Sequence, residues 1–183
     1  MAIPSGPCDS GSEARCVSLY DIAAHLVTHS YEAIMEVYPS ADCCEALSAY
    51  VTMGRGDDGV VDSVIVALAD VRMDAASVPG VFATHTAQFN VILRESGWPT
   101  IYLDADGAIA LPAPAEQNAA ARHSYSHAEA MYRRLAYLQN TRSLTPDGMP
   151  CTRQTIGVLT PLNPSGGVVG WQVPVFIQLG WSD

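Results

Sequence analysis

The sequence predicts an α+β fold, a single mixed or antiparallel β-sheet with two main helices packed on one face. Two segments repeat apolar residues at helical spacing, one starting at Ser18 and one spanning 115–140. Between and after them lie segments that alternate in polarity or run β-branched. The resulting order is helix, two strands, strand, helix, two strands, which is an α+β arrangement. The 183 residues suit one domain. Residues 1–16, rich in Pro, Gly and Ser, read as a flexible N-terminal arm, and 17–183 as the folded unit.

The first helix opens at Ser18, with Asp21 three residues on to complete a box-like cap. Leu19, Ile22, Ala23, Leu26, Ala33, Ile34 and Val37 form its apolar face, and Pro39 stops it. Residues 45–53, "EALSAYVTM", read as a strand followed by the turn "GRGDDG". "VVDSVIVALADV" at 60–71 is nearly continuous in apolar residues, which suits a central strand covered on both faces. These two strands are expected to pair as a hairpin across the glycine-rich turn. "HTAQFNVILRE" from His85 alternates: Ala87, Phe89, Val91 and Leu93 point one way, and Gln88, Asn90, Ile92 and Arg94 the other. Gly97-Trp98-Pro99 breaks the pattern before the short apolar run "TIYL", and 103–114 reads as a loop.

The second helix, 115–140, consists mostly of good helix formers. Its face of Ala120, Ser124, His127, Met131, Leu135 and Leu138 starts small and ends large, so the small end invites close approach of another element. A strand at 152–160 follows, then the turn "PLNPSGG" and a last strand at 168–181. Trp171, Val173, Val175, Ile177, Leu179 and Trp181 share one face of that strand, and Gln172, Phe176 and Gln178 the other. Pro174 has no N–H to give, so the strand is expected at a sheet edge or with a bulge there.

Nine basic against 19 acidic residues give a net charge of −10. That balance excludes sequence-reading of nucleic acid, which needs a basic footprint. No run is long and apolar enough for a membrane span, and the N-terminus lacks the basic-then-apolar pattern of a secretory signal. Charged residues are 15% of the chain, against about 25% in an ordinary soluble domain. The deficit points to surface covered by a partner.

A search for chemistry finds no catalytic constellation. Cys8, Cys16, Cys43, Cys44 and Cys151 are odd in number and irregular in spacing, which fits reduced thiols. His25/His29 and His123/His127 each stand at i, i+4, but "HSYSH" lacks the glutamate of a zinc-protease helix. Without a third ligand in the pattern, both pairs read as helix-surface histidines, so no metal and no cofactor are expected. There is no phosphate loop and no nucleophile elbow. Asp104 and Asp106 read as solvated turn residues, and Arg55-Gly56-Asp57 as a turn. What stands out is aromatic mass at edges: Trp98 at a turn, and Trp171, Phe176 and Trp181 on the last strand.

The run of a leading helix, "DCCEALSAYV", a β-branched strand, "TAQFNVILRESGWP", a Pro-rich loop and "AEQNAAARHSYSHAEAMYRRL" resembles the tail terminator proteins of long-tailed phages that infect actinobacteria. The likeness spans about residues 18–140. It implies a non-enzymatic virion protein, made in the host cytoplasm and placed at the head-proximal end of the tail. Six copies would form a ring on the last layer of tail-tube protein, stop tube growth and dock the head–tail connector or stopper protein. Genomic DNA would pass through an acidic channel without specific binding. Candidate interface residues are Trp98, Arg94, Glu95, Trp171, Phe176 and Trp181. Two alternatives stay open: another connector or stopper of the phage neck, and, in a different class, a small cytosolic metal-binding protein or enzyme using the histidine pairs and cysteines.

Overall fold

The computed structural model describes residues 18–37, 47–53, 62–73, 83–97, 99, 102–103, 107–147, 151–165 and 167–181. Helix α1 runs Leu19–Val37. Its start is the expected box: the Asp21 carboxylate accepts the Ser18 N–H at 2.7 Å, and Ser18 Oγ accepts the Asp21 N–H at 3.2 Å. Strands β1 (Ser48–Met53), β2 (Ser63–Met73) and β3 (Ala83–Glu95) follow. After them come a two-residue-per-arm hairpin, β4 (Tyr102–Leu103) and β5 (Ile109–Ala110), and helix α2 (Pro114–Asn140). Strands β6 (Cys151–Ile156), β7 (Thr160–Ser165) and β8 (Val168–Trp181) close the fold.

One mixed, six-stranded sheet runs β1-β2-β3-β8-β6, with β7 also paired to β8. The alternation in β3 is realised: Ala87, Phe89, Val91 and Leu93 are fully buried and meet Val64, Val66, Val173, Val175 and Ile177 in one core. Ile22, Leu26 and Ile34 of α1 and Met131, Leu135 and Leu138 of α2 join the same core, so both helices lie on that face. This is the α+β arrangement expected.

Four local expectations are corrected. First, β1 and β2 pair in parallel, with Ser48 opposite Ser63 and Met53 opposite Leu68, and do not form a hairpin. A six-residue strand is about 20 Å long, and residues 54–62 can reach about 30 Å when extended, so the chain can return to the strand's start. Turn residues mark where a strand ends, not which way its neighbour runs. Second, β2 is covered on both faces only from Ser63 to Ala67; Val71 and Met73 are exposed.

Third, β8 is interior, between β3 and the β6–β7 edge. Pro174 is accommodated because its edge-side partner is interrupted between Ile156 and Thr160. The Pro174 carbonyl accepts the Gly157 N–H at 2.7 Å. A strand residue's N–H and C=O point to the same side, so the missing proline donor faces the break. Fourth, the strand expected at 152–160 ends at Ile156, most of the expected turn "PLNPSGG" belongs to β7, and the region read as loop contains β5.

Helix α2 begins with Pro114 in its first turn, and Glu116 accepts the Ala113 N–H at 3.2 Å. It ends in a Schellman motif: Ser143 N–H donates to Leu138 O at 2.7 Å and Arg142 N–H to Gln139 O at 3.1 Å, with Arg142 at φ 56°.

Candidate functional site

The alternation that turns Leu93 inward also turns Glu95 inward, two residues further along β3. Glu95 lies opposite Val169 of β8, and Leu93 opposite Trp171. The end of β3 is clamped from the start of β2. The Asp62 carboxylate accepts both the Ser96 N–H at 2.8 Å and the Ser96 hydroxyl at 2.6 Å. Gly97, at φ 81°, then turns the chain out of the sheet, a conformation that favours glycine.

Helix α2 crosses this strand end and brings His123, Ser124 and His127 with it. Ser124 fixes the crossing, because Trp171 Nε1–H donates to its hydroxyl at 2.7 Å and both side chains are buried. Tyr125 stacks obliquely on Trp171, with ring centroids 4.9 Å apart. His127 Nδ1–H donates to Glu95 Oε1 in a short buried hydrogen bond. His123 Nε2 lies 3.9 Å from the same oxygen, and the two imidazoles meet edge to face at 4.2 Å. Glu95, His123 and His127 each offer one ligand atom, all within 4.8 Å of one another.

The cluster is largely dry. The Glu95 side chain is 8% accessible and that of His127 4%, while His123 reaches solvent at 40%. Among the described residues Glu95 Oε2 has no hydrogen-bond partner. Partial burial pushes the His123 pKa down, His127 adds to the lowering, and Glu95 opposes it. A cleft of about 340 Å³ opens beside Glu95 and His123, floored by Ala119, Ala120, Ser124 and Gly97. The small end of α2 thus leaves space next to the cluster, and the end of β3 and Val169 of β8 complete the cleft.

The first histidine pair is built differently. His25 Nε2–H donates to the Ser143 carbonyl at 2.9 Å, tying α1 to the loop after α2. His29 Nδ1 stands 3.3 Å from Glu32, which is itself half exposed. These two are half-buried on α1, and among the described residues no potential metal-ligating cluster includes them. His123 and His127 belong to one, because the missing third partner comes from β3. Sequence periodicity held the signal: an acidic residue continues the inward face of an apolar strand, in a chain whose second helix carries histidines at i, i+4.

The expected interface residues are dispersed. Trp98 lies outside the described residues. Trp171 is in the core, and Glu95 belongs to the buried cluster; neither stands on an open surface. Arg94 is half-buried on the sheet face away from the helices, opposite Ser63. Phe176 is half-buried on that same face, between Gln88 of β3 and Thr155 of β6. Trp181 ends β8 opposite Ala83. Cys151 is half-buried, and the other four cysteines lie outside the described residues. No helix is long and apolar enough to cross a membrane among the described residues.

A scan against protein-family models finds no match, and a search of curated proteins finds no relative.

Proposed function

We propose that this chain is a tail terminator of a long-tailed phage, a non-enzymatic ring subunit that caps the tail tube and receives the head connector. One observation carries the reading beyond the sequence resemblance: among the described residues, the helices lie on one face of the sheet only. On the other face, along β3 and β8, Gln88, Asn90, Gln172, Phe176 and Gln178 are half-buried and form a hydrogen-bonding surface with one aromatic at its centre, and Arg94 is the charged residue of these two strands that stands with them. Such a surface suits a subunit contact, where charge is depleted and aromatics are enriched.

The charge inventory supports the same reading. All nine basic residues are arginine, and the chain contains no lysine. Arginine is the cation that interfaces tolerate best, because its guanidinium is weakly hydrated and binds in a planar fork. Beyond the last β1 pair, Met53–Leu68, β2 is the outermost described strand and carries exposed Val71 and Met73, opposite Ala87 and His85 of β3. A head-to-tail contact between this exposed strand end and a neighbour's far face would close a ring, and such interfaces commonly bury about 2,000 Å² or more. The net charge of −10 keeps DNA from sticking as it passes.

The test is electron microscopy of polymerising tail-tube protein from the same phage with and without this chain. Tubes bearing a ring at one end and arrested at that length are the expected result. Tubes that keep growing with bare ends overturn the proposal, and a ring located on the head side of the neck assigns the chain to the connector instead. Acidic side chains found on the ring's outer rim would remove the channel argument.

A further inference from the structure

We propose that Glu95, His123 and His127 form a binding site for a divalent transition-metal ion of the zinc class. This stands apart from the ring-forming role and holds whether or not that role is correct. One carboxylate oxygen and two imidazole nitrogens converge from two elements, with the donor atoms within 4.8 Å of one another. A tetrahedral zinc site places its ligand atoms about 3.3 Å apart for bonds near 2.0 Å. The His123–Glu95 separation of 3.9 Å is within a small side-chain adjustment of that. Two imidazoles in the set favour zinc-like ions over magnesium or calcium, which take oxygen ligands.

The independent observation is the state of Glu95. Its side chain is 8% accessible, and its Oε2 has no hydrogen-bond partner among the described residues. Its ion-pair partners among them are the two histidines. A carboxylate taken out of water with one oxygen unmatched is costly unless a cation meets it. A bound ion supplies that charge. It takes the place of the proton that His127 Nδ1 donates to Glu95 Oε1. The metal-bound imidazole is neutral and keeps one proton, on Nε2, so a neutral ring changes tautomer by exchange with solvent and only a doubly protonated ring releases a proton. The cleft of about 340 Å³ beside Glu95 and His123 gives the ion an entry path and leaves room for a water as fourth ligand. Bound there, the ion would staple the end of β3 to α2 at the cleft.

The experiment uses the untagged full chain, stripped with a chelator and dialysed, then titrated with Co²⁺ and Zn²⁺ alone. The expected result is one Co²⁺ per chain, with visible d–d absorption that Zn²⁺ displaces. His123 is partly exposed, so His123→Asn keeps the fold and is expected to weaken binding by roughly tenfold or more. Glu95→Gln, checked for folding by circular dichroism, should do the same. His25→Asn/His29→Asn should bind like the wild type. Unchanged affinity in His123→Asn, loss of binding in His25→Asn/His29→Asn, or a thiolate-to-cobalt charge-transfer band from the cysteines would each overturn the assignment.

Discussion

Glu95 and His29 are both ionisable groups drawn towards the protein interior, in different surroundings. Glu95 meets imidazoles on α2, whereas His29 is pushed below the ordinary imidazole value of 6.5. Partial burial is the first cause, the neighbouring His25 the second; Glu32 opposes the shift and Arg134 of α2 adds to it. The sign follows. As pH falls through about 6.5 the unfolded chain protonates this ring before the folded one does, so stability is full above that pH and declines as the pH drops towards the folded value. His29→Asn should therefore flatten the dependence of Tm on pH between about 7.5 and 5.5; a slope equal to the wild type's would clear His29 of this role. At this scale the sequence was only half legible. Residue types and helical spacing identified both histidine pairs, but equal spacing does not reveal which pair has a carboxylate beneath it.

Helix and strand identities were the most readable layer, because each reports a period in the chain's own residues. Ser18 and Asp21 cap α1 as their spacing requires. The two-fold period of β3 separates its buried and half-buried faces from Ala87 to Leu93, with one exception, Ile92, which is buried on the far side as well. Short, irregular pieces were not readable: β7 contains two prolines and β5 is two residues long, too little for any period to register. The end of α2 carries a testable strain. Arg142 holds φ at 56°, where an L side chain crowds the backbone, at a cost of about 1–2 kcal/mol. Its side chain is exposed, and Gln154 bonds its carbonyl, which glycine retains. Arg142→Gly should raise stability by about 1 kcal/mol, read as a higher urea midpoint at unchanged slope. A lower midpoint would mean that the arginine side chain contributes more than its backbone costs.

For the whole molecule, the telling feature is an asymmetric sheet, with a packed face towards the helices and a polar, half-buried face along β3 and β8. Phe176→Asp tests it. Phe176 is half-buried and outside the helix-side core, so the isolated chain should stay folded, as circular dichroism would show, at a cost of about 1–3 kcal/mol, while capping of tail tubes is lost. Normal capping by this variant would move the contact elsewhere. The sequence by itself determined the α+β class, the two helices, and which residues of β3 and β8 face inward, because periodicity and capping are local properties. Only the tertiary structure decided that β1 runs parallel to β2, that β8 lies inside the sheet, and that Glu95 meets His123 and His127. Each of those is a meeting of segments distant in the chain, fixed by how helices and strands dock to exclude water, and no local pattern encodes the neighbour that an element will find.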